Sequence, residues 1–334
     1  MIELWVRGIG LIGPGLADWA SAAPLLRAAT PASYGGEAPA APWARTATVV
    51  PLPSRLAANE RRRAGMADKA SLAAADQAVA MADADPAQLA TVFTSSTGDP
   101  ANCHALCEAL ATPERLLSPT RFTNSVHNTP AGYWHIATRS MRSSTSIAAF
   151  DASFGAGLLE AAVACHTSGA EVLLVACDIP YPAPLHALRS LSDTVAVALV
   201  LAPRSGPRRG AWRLRLHTQG GVAADGATGA TTDVATGAAT GAATDAGTGA
   251  ALGGAFQDAV FATATPCADA GLEALRREVP AARALPLLCA MAAMADTRTA
   301  KPGVESGAAA ALATTLQIEV AEGLFMAITV QAAA

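Results

Sequence analysis

The sequence predicts a layered α/β fold built on a buried sheet, and three observations carry that prediction. Short strand-like runs alternate with helix-length segments through residues 2–203, the signature of helices packed on a sheet. Two of the runs, Glu171–Ala176 and Val195–Leu201, are almost continuously apolar, as strands covered on both faces should be. Apolar residues make up 51% of the chain and charged residues 15%, but aromatics are only 4% and 84 residues are alanine, so core material is ample and fine-grained. A chain of 334 residues exceeds the roughly 100–200 of an average domain, which leaves one large domain or two fused halves.

Residues 2–12 open with the strand pattern Ile2–Arg7 and run into a glycine-rich turn, followed by a Pro/Gly/Ala loop. A long alanine-rich helix is expected over Asn59–Met81. Thr91–Ser95 is a short buried-type strand that ends in Ser96-Thr97-Gly98-Asp99. Helices are expected over Asn102–Ala111 and Thr129–Arg139, a strand over Thr145–Phe150, and a helix of small and apolar residues over Phe154–Ser168. After residue 219 the composition shifts to Gly, Ala, Thr and Asp, an imperfect short repeat that offers no packable face, so residues 220–254 are expected to be a flexible insertion. Beyond it the pattern gives a strand at Asp258–Thr263 and helices at Ala268–Val279 and Ala284–Met294. A terminal hairpin follows, Leu316–Val320 with Leu324–Val330, turned by Ala321-Glu322-Gly323. The expected divisions are 1–219, the insertion 220–254, and an abbreviated second half 255–334.

Composition excludes several function classes. With 23 basic and 27 acidic residues the formal charge is −4, which gives no footprint for nucleic acid or anionic membrane. Six cysteines without a CxxC pair fit neither a disulfide framework nor a zinc ribbon, and a reducing cytoplasm is the expected compartment. The apolar N-terminus has Glu3 where a signal peptide carries basic residues, and Gly13-Pro14-Gly15 interrupts it. No uninterrupted run of about 18 strongly apolar residues predicts a membrane span. Cys103, His104 and Cys107 lack a fourth metal ligand nearby, so no metal is expected, and the two cysteines are read as packing residues. No cofactor is expected either. Arg61-Arg62-Arg63 is read as a solvated face.

The most informative stretch is Ser144–Gly157, a strand that runs directly into a small-residue helix. Such an elbow sets one side chain at a helix N-terminus, where backbone N–H groups favour negative charge. Asp151 stands there.

Three segments resemble the β-ketoacyl synthase group of the thiolase superfamily, in its chain-length-factor-like branch: Val6–Pro14, Ser118–Trp134 and Ala149–Gly157, within residues 1–203. The resemblance implies a thiolase-like α/β/α/β/α layered sandwich with a shortened second half. It also implies that the stretch Asn124–Gly132 lines an acyl pocket. Condensing enzymes of this kind carry the acyl group on an elbow cysteine, and two histidines assist malonyl decarboxylation. Here the aligned residue is Asp151, whose mixed anhydride would hydrolyse readily. The six histidines, His104, His127, His135, His166, His186 and His217, all precede the insertion.

The expectation is a non-condensing subunit, a chain-length factor, that pairs as a heterodimer with an active β-ketoacyl synthase in fatty-acid-like, polyketide or aryl-polyene synthesis. It would meet acyl carrier protein through that complex. Asn124, His127, Asn128, Phe150, Asp151, Ser153 and Phe154 are the expected acyl-pocket or partner-interface residues. Asp151 has two readings, a helix cap or a pocket-shaping group. Ser153 lacks GxSxG flanks and reads as packing. His127 reads equally as a pocket residue or a bonded core histidine. A hydrolase, decarboxylase or acyltransferase working through the modified elbow, and a plain scaffold, are the alternatives.

Overall fold

The computed structural model describes residues 1–30, 43–191, 193–203, 212–218, 264–295 and 313–333. The insertion at 220–254 and the strand expected at Asp258–Thr263 lie outside the described residues.

Strand β1 (Ile2–Ile12) changes side midway. A register irregularity between Val6 and Gly8 lets Leu4 and Val6, and then Ile9 and Leu11, enter the same core. Helix α1 (Trp19–Ala28) follows, where the sequence reading gave only loop; Asp18 caps it, accepting the Ser21 N–H at 2.7 Å. The single helix expected over 59–81 is two, α2 (Ala58–Arg63) and α3 (Met66–Ala82), broken at Ala64-Gly65. The Gly65 N–H is taken by the Asp68 carboxylate at 2.8 Å, which starts a new helix instead of continuing the old one.

The alanines of α3 explain the composition. A Cβ at Gly8 would stand 2.0 Å from the Ala78 carbonyl oxygen, and one at Gly10 would stand 1.9 Å from that of Ala74. Helix and strand meet backbone to backbone, so this face of the sheet is built from Gly and Ala.

Strand β2 (Ala90–Thr94), α4 (Pro100–Ala111), α5 (Pro119–Thr123) and α6 (Thr129–Thr138) come next. Strand β3 (Ser144–Ile147) ends three residues short of expectation because Phe150 turns the chain. Helix α7 (Ser153–Ser168), β4 (Val172–Asp178), α8 (Ala183–His186) and β5 (Val195–Ala202) complete the first part, and every residue of β4 and β5 is buried. Strand β6 (Trp212–Thr218) escaped the sequence reading, although Trp212, Leu214 and Leu216 alternate with Arg213, Arg215 and His217. Helices α9 (Ala270–Glu278) and α10 (Leu285–Ala295) and the hairpin β7 (Ala313–Ala321) and β8 (Leu324–Ala332) fall where the pattern puts them.

The sheet order is β3-β2-β4-β5-β1-β6-β8-β7. In the first five strands β3, β2 and β4 are parallel and β5 is antiparallel to both neighbours. Strands β6, β8 and β7 extend this sheet past β1, so the described residues hold one mixed eight-stranded sheet. One core, with α1, α7, α9 and α10, covers one face; the other, with α3 and α6, covers the opposite face. Trp19 meets Trp212 edge to face at 5.8 Å on the first.

Candidate functional site

The elbow is made by the chain's own hydrogen bonds. Phe150 takes φ = 48°, left-handed for a residue with a side chain, which costs on the order of 1–3 kcal/mol and persists because the surroundings fix it. Ser153 fixes it from below: its Oγ donates to the Phe150 carbonyl at 2.7 Å and accepts the Ala149 N–H at 3.0 Å. Its own carbonyl accepts from Thr94 Oγ1 at 2.8 Å. The serine therefore holds the turn, and both functions of its hydroxyl are engaged. Gly155 lets α7 cross β7 closely, since a Cβ there would stand 1.8 Å from the Glu319 carbonyl oxygen.

Asp151 is not a cap. Neither the 3-10 turn Phe150–Ala152 nor α7 has a side-chain cap bond. Its carboxylate pairs instead with Arg189 through Oδ1 and with Arg283 Nη2 through Oδ2 at 3.2 Å. Arg283 also reaches Glu319 at 2.7 Å. The Arg189 guanidinium lies 3.9 Å above the Phe150 ring and donates to Tyr181 Oη at 3.2 Å. Two acids and two arginines thus neutralise one another across the mouth of the elbow.

The expected site residues divide into three places. Phe150, Asp151 and Ser153 form the elbow. Phe154 is 1% exposed and packs inside the core. Phe150 is 62% exposed, but it serves as the platform for Arg189. Asn124, His127 and Asn128 belong to a different region, next to a cleft of about 630 Å³ bounded by α2, α5 and α6. Pro119, Phe122, Val126 and Ile136 give it apolar walls, and Tyr133, Asn124, Glu60 and Arg63 give it a polar end. Asn124 is structural: its amide donates to the Arg63 carbonyl at 2.7 Å and its Oδ1 accepts from Tyr133 Oη at 3.2 Å. Asn128 is exposed at the start of α6 and makes no cap bond. His127 Nε2 lies 3.2 Å from the Ser95 carbonyl oxygen, so it donates there and is a bonded, half-buried histidine.

Sequence reasoning missed Asp178, the last residue of β4. It is 2% exposed. Its Oδ1 accepts from Ser96 N at 2.8 Å, Ser96 Oγ at 2.7 Å and Ser95 Oγ at 3.2 Å, and its Oδ2 accepts from Ala281 N at 2.9 Å. Burial pushes its pKa up against these bonds. The loop after β2 is thereby tied to the segment that carries Arg283, and Ser95 links the same knot to His127. An acid closing an otherwise apolar strand was the available signal. Cys103 and Cys107, read as packing residues, are exposed, and His104 lies 3.3 Å from Glu108.

Comparison with known proteins agrees with this architecture. The β-ketoacyl synthase N-terminal domain family matches residues 37–246. The chain belongs to the β-ketoacyl synthase family. Its fold is similar to that of a ketosynthase (ApeO) in complex with its chain length factor (ApeC) from Xenorhabdus doucetiae. That match has 23% identity and a TM-score of 0.51, and covers 65% of this chain and 84% of that one. It is also similar to the ishigamide ketosynthase/chain length factor, at 13% identity and TM-score 0.57, covering 99% of both chains. No curated protein sequence matches. The synthase-like fold is therefore thiolase-like, and among the described residues no helix is long and apolar enough to cross a membrane.

Proposed function

We propose that this synthase-like chain is the non-condensing member of a pair, a chain-length factor for an active β-ketoacyl synthase. One observation carries the reading: the residue at the elbow is a carboxylate, not a thiol, and it is held between Arg189 and Arg283. A thiolate would attack an acyl thioester and keep the acyl group; a carboxylate neutralised by two guanidiniums is a poor nucleophile, and its anhydride is short-lived. No histidine follows His217, so residues 255–334 supply no imidazole to assist decarboxylation. We read residues 1–219 as the synthase-like half, 220–254 as a linker insertion and 255–334 as the abbreviated second half.

What remains for such a subunit is binding. The cleft beside Asn124–Gly132 has the size of a small-ligand site, and exposed Phe122, Val126 and Ile136 on its walls are the side chains a partner or an acyl chain would cover. The size-setting residues of this reading are Phe122, Val126 and Ile136. Phe150 and Phe154 are not among them. With net charge −4 the chain repels an acidic carrier protein, so the basic docking face belongs to the partner synthase. The setting is fatty-acid-like, polyketide or aryl-polyene synthesis in the cytoplasm.

The test is acyl transfer from carrier-protein thioester to the purified chain, followed by peptide mapping. No adduct should appear within Ala149–Gly157, and D151C alone should not condense malonyl and acyl units. A stable adduct on Asp151, or condensation by the chain without a partner, would overturn the reading.

A further inference from the structure

A second constellation lies away from the elbow, on the open edge of the sheet. His135 Nδ1 is 3.1 Å from the Ser140 carbonyl oxygen, which can only accept, so the ring proton sits on Nδ1 and Nε2 keeps its lone pair. Thr91 Oγ1 is 3.2 Å from that Nε2 and donates to Ser144 Oγ at 2.8 Å. The threonine hydroxyl has one proton and two neighbours. Rotated from Ser144 to Nε2, the hydroxyl donates to the ring and presents its lone pair to the proton of Ser144. Thr91 is 2% exposed, so the bridge is shielded from water, while Ser144 at its end is exposed.

The surroundings suit an acyl carbonyl. Ser144, Ser146, His135, Asn128 and Gly132 line one hollow of about 410 Å³. Asn128 and Gly132 also line the apolar cleft, so the two spaces adjoin across the start of α6. The floor between them is bare: a Cβ at Gly132 would meet nothing within 4 Å. Thr91 N and Ser95 N bond the carbonyls of Ser143 and Ile147, so alternation along the parallel ladder turns the backbone N–H groups of Ser144 and Ser146 to the open side. Together with the uncommitted Asn128 amide, these are donors for a developing oxyanion.

We propose that Ser144, with Thr91 and His135 as its proton relay, is a nucleophilic acyl site for esters or thioesters whose apolar chain lies in the cleft. Ser144 Oγ bonds to the carbonyl carbon while its proton passes to Thr91 and the Thr91 proton passes to His135 Nε2. Collapse of the tetrahedral adduct breaks the bond to the alcohol or thiol. That leaving group receives its proton from His135 back through Thr91, which leaves acyl-Ser144 for hydrolysis by water. Thr91 and His135 act here as positioning and relay residues. This site is independent of the elbow, and its test needs no synthase partner, so either reading can fail alone.

The experiment is labelling of the full, purified chain with a fluorophosphonate, with peptide mapping, alongside hydrolysis of p-nitrophenyl acetate and decanoate. One adduct per chain is expected at Ser144, absent in S144A. Removing the hydroxyl bridge with the near-isosteric T91V should slow labelling about 100-fold, whereas T91S, which restores it, should return the rate to within about threefold of wild type. G132L, which fills the floor between the two spaces, should lower the decanoate-to-acetate ratio about tenfold. Circular dichroism confirms that each variant is folded. An unlabelled wild-type chain, undiminished labelling in S144A, or wild-type labelling in folded T91V would overturn the proposal.

Discussion

The elbow and the cleft have opposite characters. At the elbow every prominent polar group has a partner inside the chain: Ser153 closes the turn, Asp151 lies between two arginines, and Arg283 continues to Glu319. At the cleft, large apolar side chains stand in solvent, with Phe122 63% and Ile136 59% exposed. The elbow is a joint holding α7, the segment Pro280–Ala284 and β7 together. The cleft is left open to solvent. A subunit that shapes another enzyme's product would be built this way, and the difference can be attacked with paired substitutions.

The largest effect should come from one substitution made on both sides. G155A puts a methyl group onto the Glu319 carbonyl and forces α7 away from β7, costing about 3–5 kcal/mol in urea unfolding. G132A, on the open floor of the cleft, meets nothing and should add about 0.5–1 kcal/mol of helix stability. Equal effects at the two glycines would erase the contrast.

A smaller effect should appear with pH behind the cleft, where burial and, after it, the charge of Asp68 push the Tyr133 phenol up. Burial pushes Asp68 up to about 6, helped by the charge of Asp99 and opposed by its bond to the Gly65 N–H. In the unfolded chain the same group titrates near ~4. The folded state therefore holds the proton more tightly, and stability falls as pH rises from about 4 to about 6 and is level above, by on the order of 3 kcal/mol. Thermal unfolding against pH should show this slope in wild type and a reduced one in D68N. A slope unchanged in D68N would assign the proton elsewhere.

Next in size is D151N. The carboxylate is 40% exposed, so solvent screens it, and losing its charge should cost only about 1 kcal/mol, less at high salt. A loss above about 3 kcal/mol would mean that the elbow depends on this ion pair as a buried one does.

These contrasts also show what could be read from the chain. The strands β4 and β5 and the helix α7 were legible because their patterns are local: unbroken apolar runs, and small residues after a strand. The elbow was legible for the same reason. Helix α1 was not, because Pro24 lies inside it and Gly13-Pro14-Gly15 precedes it, signals that ordinarily mark loops. The cleft was only half legible, since its walls come from α2, α5 and α6, and only the stretch from α5 to α6 is continuous in sequence. The partners of Asp151 were beyond reach: Arg189 and Arg283 are 38 and 132 residues away, and nothing local selects them.

The smallest effect on stability should belong to the cleft walls, and there the function is most exposed to test. Replacing Phe122 or Ile136 by serine should change unfolding by no more than about 0.5 kcal/mol, because both side chains already stand in water. The same positions decide the central claim. A co-expressed β-ketoacyl synthase should be purified with wild-type chain and with I136W and F122A, and the acyl lengths of its products measured by mass spectrometry. The account predicts shorter products with I136W, longer ones with F122A, and similar turnover in all three. An identical product distribution in the three complexes would contradict it.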